Sequence, residues 1–311
     1  MPRMTIARAL APALTAACAL GVLLPGANTA AQQGPPATPL QGKKVYISVD
    51  MEGISGINGN DQISPGQPEY GRGRLLMAED ANAAVRGAFE GGAREVVVND
   101  SHGGQRNLLP EQLDPRAHLI SHSFKRHGIM EGLDETFDAV IFVGYHARAD
   151  APRGLFAHTG SGVVADLQIN GRSVGEGGMN AALAAYYGVP VVAVSGDDVA
   201  VAEVKEIVPG VRGAVVKRAI NVRAVELLPL VEARDAIQRA AREGVAAAAK
   251  VTPVRGPVRV QLRYRNVTYP EIATAFQEIE RVAPDTVAFT RATMPEAYRL
   301  IRVLYRFISP D

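Results

Sequence analysis

The 311-residue chain is 47% hydrophobic and 21% charged, has no tryptophan, and carries a formal net charge of +1. That balance fits one large soluble domain or two of ordinary size, and it gives no support for low complexity or for a nucleic-acid or acidic-membrane partner. A single cysteine, Cys18, rules out an internal disulfide framework. In chain order, Arg3 and Arg8 lead into an apolar run over residues 9–24, followed by Pro25-Gly26 and the small residues 27–31. Basic, apolar, then small is the order of a secretory signal peptide, with cleavage after Ala30 or Ala31. The run is shorter than the ~20 residues a membrane anchor needs. Lipoprotein processing at Cys18 fits less well, because Leu14-Thr15-Ala16-Ala17 lies midway along the apolar run. Residues 1–31 are thus expected to be removed on export to the periplasm or medium, taking the cysteine with them. Residues 32–42 are a polar, proline-rich spacer.

The segment 44–56, K-V-Y-I-S-V-D-M-E-G-I-S-G, reads as a buried strand running into two carboxylates, Asp50 and Glu52, and a glycine turn. If the extended backbone continues to Glu52, the two acids share a face. A loop over 61–69 precedes a helical stripe over 70–91, stopped by Gly91-Gly92, and 94–99 is a second buried strand. The resulting β-α-β unit predicts a parallel pair. Strand two runs into Asp100 and His102, and a third apolar strand over 138–144 runs into His146. Asn170-Gly171 within 167–174 marks a two-residue hairpin. A glycine-opened helix follows over 176–187, then a strand over 190–195 and a helix over 199–207. Beyond about residue 211 the pattern predicts a smaller α+β region. It contains a strand at 214–217, a long helix over 222–250, an alternating strand at 258–264, a helix from 269, a strand at 286–290 and a terminal helix over 294–307. The expected layout is a Rossmann-like α/β parallel-sheet catalytic domain over 43–210 and a C-terminal α+β region over 211–311, both parts of one unit.

In open parallel sheets, ligands bind beyond the carboxyl ends of the strands. Three successive apolar strands here end in acid or imidazole groups, a donor set suited to zinc or a similar divalent ion. A structural polar rim, with Asp100 as a helix N-cap and His146 bonded to a carbonyl, is the alternative that residue types alone leave open.

The motifs S-V-D-M-E-G-I-S-G, N-D-S-H, G-Y-H-A-R, a histidine about a dozen residues on, N-G-x-x-V-G-E and P-V-V-A-V-S-G-D-D occur in this order. Together they resemble the zinc-dependent D-aminopeptidases of the dipeptide-transport-operon type, from about residue 43 to the C-terminus. The resemblance implies a centre of two zinc ions per chain held by Asp50, Glu52, His102, His146 and Glu176, with Asp50 serving both. It also implies a catalytic histidine at His158, and a homo-oligomer built as a ring around the active sites. Residues 163–167, V-V-A-D-L, lack the basic and aromatic residues expected there, which touches substrate preference more than chemistry. Asp100 is expected to orient His102 or His146, or to meet a substrate amine. Arg148 is expected either to anchor a substrate carboxylate or to form an ordinary salt bridge. His118, His122 and His127 match no ligand position and are expected on loops or the surface. Three functions stay compatible with these residues: an exported metallo-aminopeptidase for short peptides with D-residues such as D-Ala-D-Ala, a dinuclear zinc amidase or esterase, and a non-catalytic periplasmic peptide-binding protein.

Overall fold

A computed structural model describes residues 42–308, which fall in one compact unit. The signal peptide and nearly all of the spacer expected from the sequence lie outside these residues. In chain order the elements are β1 (Lys43–Val49), a single helical turn α1 (Asn60–Ile63), α2 (Tyr70–Glu90), β2 (Ala93–Asp100), β3 (Ala117–Ile120), β4 (Ala139–Tyr145), β5 (Val164–Ile169) and β6 (Arg172–Ser173). Then come α3 (Glu176–Tyr187), β7 (Val191–Asp197), α4 (Asp198–Ile207), β8 (Arg212–Ala219), β9 (Val225–Leu227) and α5 (Leu230–Ala246). The chain closes with β10 (Val258–Tyr264), α6 (Thr268–Ala273), β11 (Glu280–Ala283), β12 (Thr286–Arg291) and α7 (Met294–Arg306).

Seven strands form one sheet in the order β3-β2-β1-β4-β7-β8-β9, parallel throughout except for the antiparallel β8–β9 edge. The chain winds outward from β1 through β2 to β3, then returns to β4 and winds the other way. This is the Rossmann-like arrangement the strand pattern predicts, and it places the topological switch point between β1 and β4. Both faces of the sheet are covered, which is why β1, β2 and β4 read as near-continuous apolar runs. Helices α2 and α5 cover one face, with the valines and isoleucines of β1 and β2 packed beneath them. Gly87 lets the two helices touch: a Cβ there would lie 2.2 Å from the Gln238 carbonyl oxygen.

The second sheet is antiparallel, in the order β11-β12-β10-β5-β6. It shares a core with the other face of the first sheet, where Phe142 and Tyr145 of β4 meet Leu167, Leu262, Phe289 and the apolar side of α7. The Asn170-Gly171 turn joins β5 to β6 with φ of 50° and 81°, the left-handed pair that a two-residue hairpin requires. Helix α7 opens on a capping box, Thr293 accepting from the Glu296 N–H and Glu296 from the Thr293 N–H.

Two expectations need correction. The helix expected over 222–250 begins only at Leu230, because Pro229 lacks an N–H and biases the preceding residue away from helical backbone; the stretch before it pairs as β9. The boundary expected near residue 211 does not divide the layers. β8, β9 and α5 complete the first sheet and its cover, while β5 and β6, from before that point, belong to the second.

Candidate metal centre

β1 ends at Val49, so Asp50 and Glu52 are not successive same-face residues of a continuing strand, as their spacing suggests. A turn brings them together instead. Asp50 Oδ1 accepts from the Met51 N–H at 2.8 Å, and the Asp50 and Gly53 N–H groups donate to the Val143 and Gly144 carbonyls, both at 2.8 Å. Glycine is required at this contact: Gly144 has φ of +72°, and a Cβ on it would lie 2.3 Å from the Asp50 carbonyl oxygen. Beneath the turn, the buried Lys217 of β8 donates to the carbonyls of Glu52 (2.6 Å), Ile54 (3.0 Å) and Ile57 (2.8 Å). Burial pulls this ammonium down to about 7 even with Asp197, Asp80 and Glu52 opposing it. Three carbonyls around one nitrogen match the three N–H groups of the charged form, and on that geometry we assign Lys217 as an ammonium.

His102 and His146 stand just past the ends of β2 and β4, and Glu176 is the first residue of α3 behind its N-cap Gly175. His102 Nδ1 lies 3.0 Å from Glu52 Oε2 and 3.3 Å from Asp50 Oδ1. His146 Nε2 lies 3.5 Å from Asp50 Oδ2 and 3.4 Å from Glu176 Oε1. Asp50 therefore directs one oxygen to each histidine. His158 stacks on His146 with ring centres 4.0 Å apart, and its Nε2 lies 3.7 Å from Glu176 Oε1. In each imidazole a backbone carbonyl engages the far nitrogen: Ile63 with His102 Nε2 (2.8 Å), Ala147 with His146 Nδ1 (3.0 Å) and Phe156 with His158 Nδ1 (2.8 Å). These bonds set each ring so that its other nitrogen faces the carboxylates, the usual way that outer partners orient imidazoles at metal sites.

All six sequence-predicted positions thus converge, in two groups whose donor atoms lie within 4.8 Å of one another: Asp50, Glu52 and His102, and His146, His158 and Glu176. The donor set fits zinc on an observation internal to the site. Ligands about 2.0–2.1 Å from a tetrahedral ion stand about 3.3 Å from each other. The separations of 3.3–3.5 Å between Asp50, Glu176 and the two imidazoles match that figure and are long for charge-assisted hydrogen bonds. His146 Nε2, wholly buried, has no hydrogen-bond partner among the described residues. Burial opposes charge on Glu52 and Glu176, yet the neighbouring imidazoles hold both carboxyls below their usual range. Burial likewise opposes charge on His102 and His146, and the carboxylates override it and hold both rings well above theirs.

The remaining candidates lie elsewhere. The Asp100 carboxylate is spent on the N–H groups of Asn107 and Leu108 and the Asn107 side chain, which in turn donates to the His102 carbonyl. It braces the loop that carries His102 and touches neither imidazole. Arg148 is held by Asp150 and Glu203 and lines a small cavity behind His146, which is the salt-bridge arrangement. His118 and His122 are exposed, and His127 packs edge-on against Tyr298.

Sequence reading missed Lys217, although a lysine inside the apolar run A-V-V-K is itself a signal of a buried, partnered charge. It also missed a buried polar chain under the site. Tyr298 donates to Asn180, Asn180 to the Tyr145 hydroxyl, and Tyr145 to Ser48, which contacts Ser101. Two cavities meet at the cluster and share Glu52, His158 and Gly162. The first, about 300 Å³, extends to Gln105, Arg302, Tyr305 and Arg306. The second, about 690 Å³, is walled by Ile63, Phe156, Val222 and Arg223.

Residues 43–303 match the model of peptidase family M55, described as D-aminopeptidase. The chain belongs to this family. It is 40% identical over 264 residues to the D-aminopeptidase of Bacillus subtilis (strain 168), covering 84% of this chain and 96% of that one. Among solved structures it is similar to the Zn-dependent D-aminopeptidase DppA from Bacillus subtilis, a self-compartmentalizing protease, with a TM-score of 0.80 and 39% identity over 84% of this chain and 96% of that one. The resemblance drawn from the motifs is therefore borne out, and the chain is a metallo-aminopeptidase of the D-aminopeptidase family.

Proposed function

We propose that the protein is an exported, zinc-dependent aminopeptidase that removes the N-terminal residue of short D-amino-acid peptides such as D-Ala-D-Ala. The convergence of three imidazole nitrogens and three carboxylates, with the partnerless His146 Nε2 among them, carries this reading. Asp50, Glu52 and His102 would hold one zinc and His146 and Glu176 the second, with Asp50 offering an oxygen to each. When bound, the ions supply Lewis acidity towards the scissile carbonyl and lower the pKa of a nearby water.

The rest is done by the chain. The backbone carbonyl of Phe156 fixes His158 through Nδ1, leaving Nε2 facing the cluster. That nitrogen takes the proton released as water adds to the carbonyl carbon and returns it to the leaving amine, so the C–N bond breaks with a neutral amine departing. With Asp100 committed to its own loop, the carboxylates that line the cavity are Asp50, Glu52 and Glu176, all of them members of the cluster. The Glu176 carboxylate, held by the Gly160 N–H at 2.8 Å at the start of α3, keeps its negative charge in the field of the helix N-terminus.

The basic-apolar-small order of residues 1–31 supports export, and N-terminal sequencing of the protein from culture fractions should find a start at residue 31 or 32. The self-compartmentalizing relative supports a homo-oligomer, which light scattering on the purified protein measures. The direct test of activity is release of free D-alanine from D-Ala-D-Ala by the zinc-loaded protein, compared with L-Ala-L-Ala and with a simple ester. Turnover of the D-dipeptide alone is expected. Turnover of the ester alone would favour an esterase, and tight binding of an intact peptide without turnover would favour a binding protein.

A further inference from the structure

Two residues that line the cavity opening from the metal cluster each carry a buried polar atom without a hydrogen-bond partner among the described residues. Arg302, on α7, is 4% exposed, and its Nε has no hydrogen-bond partner among the described residues. One terminal nitrogen donates to the Lys125 carbonyl, and no carboxylate of the described residues forms an ion pair with the guanidinium. Gln105, also 4% exposed, leaves its Oε1 without a partner. Both residues line the same cavity as Asp50, Glu52, His102, His158 and Glu176. A buried charge is costly unless it is paired, so a guanidinium in this position calls for an anion.

The guanidinium is also preorganised. It lies against Gly128, where a Cβ would stand 2.4 Å from Arg302 Nε, and it sits 5.9 Å from the ring centres of both Phe124 and Phe307. A planar fork held in place is the donor suited to a carboxylate. The neighbouring Gln105 oxygen is an acceptor suited to a peptide N–H. Arg306, at the rim, donates to the Gly103 carbonyl at 3.0 Å and adds positive charge at the mouth. A space of about 300 Å³ is at the small end for ligand sites, sized for a peptide of very few residues.

We propose that Arg302 and Gln105 form the subsite that reads the free α-carboxylate and adjoining N–H of the leaving residue, which makes the enzyme selective for very short, free-acid peptides. This rests on the aminopeptidase reading above. In that arrangement the scissile carbonyl lies at the cluster, the leaving residue points towards α7, and the N-terminal side chain points into the larger cavity beside Phe156 and Val222. Capping the substrate carboxylate as an amide removes the anion and leaves the scissile bond unchanged.

The test compares D-Ala-D-Ala with D-Ala-D-Ala-amide in the zinc-loaded wild type, in Arg302→Met and in Gln105→Leu. Wild type is expected to favour the free acid by about 10- to 100-fold in kcat/KM, mostly through KM, since the amide cannot form the charge-assisted hydrogen bond to the guanidinium. Arg302→Met should bring that ratio close to one, which a merely structural role for the arginine would not do. Gln105→Leu should raise KM for both substrates and leave the ratio intact. Equal turnover of acid and amide by wild type overturns the subsite while leaving the aminopeptidase reading standing. If neither substrate is cleaved, that reading fails, and calorimetric binding of the two ligands to wild type decides the subsite: a preference for the acid upholds it and equal affinities overturn it. Calorimetry on Arg302→Met gives the same readout without turnover.

Discussion

His158 is the residue on which the chemistry turns, and its surroundings make a sharp prediction. It stacks on His146 and approaches Glu176 at 3.7 Å, the longest of the imidazole–carboxylate contacts at the site, those of His102 and His146 being 3.0–3.5 Å. His158→Ala is therefore expected to lower kcat by at least about 100-fold, the usual scale of general acid–base catalysis, with zinc content near wild type. Metal analysis of that variant checks it; loss of zinc together with activity would move His158 into the ligand shell. Lys217 supports the site from below. Lys217→Met would leave the Glu52, Ile54 and Ile57 carbonyls without their donor, at a cost of about 2–4 kcal/mol. Urea unfolding of the zinc-free protein measures it, and unchanged stability would show that the turn holds without the ammonium. The ligand residues were legible in the sequence because each follows an apolar strand or opens a helix. Lys217 and Arg302 were not, because a charge within an apolar stripe names no partner until the fold supplies one.

At the scale of elements, the ligand-bearing turn is tied to α2 by Asp80, which accepts from the Ser55 N–H at 2.8 Å and the Ser55 hydroxyl at 2.6 Å, with Arg234 Nε at 3.5 Å. Burial pushes the Asp80 carboxyl up to about 6, against the pull of Ser55 and Arg234. Below about pH 4 this carboxyl is protonated in both folded and unfolded chains. As pH rises towards about 6 the unfolded chain gives up the proton first, so the folded state loses stability; above that the penalty is constant. The stability advantage of wild type over Asp80→Asn should thus shrink between about pH 4 and 6, by about 3 kcal/mol at most, and stay level above pH 7. Denaturant melts across that range test it, and an advantage that grows through the window would place the folded pKa on the other side of normal. The element pattern itself was largely readable: α3 spans Glu176–Tyr187 and β10 spans Val258–Tyr264, as periodicity predicts. β3 and β11 span four residues each, too short for the hydrophobic pattern to give a strand signal, and the helix start at Leu230 turned on the stiffness of Pro229.

For the whole molecule, the sequence showed a doubly wound sheet but not which elements build each layer. Local periodicity reports which face of an element is buried and not what buries it. That β5 and β6 leave the first sheet to pair with β10 depends on contacts about 90 residues apart, such as Leu167 with Leu262. The consequence for function is that the cluster lies beyond the carboxyl ends of β1, β2 and β4, at the switch point, with α7 of the far C-terminal region forming one wall of its cavity. Asp50 stands at the centre, one oxygen towards each histidine. The most direct measurement is zinc per chain, by elemental analysis, in wild type and in Asp50→Ala. The account predicts about two zinc ions per wild-type chain and loss of both in the variant. Less than one zinc in wild type, or retention of both without Asp50, would contradict it.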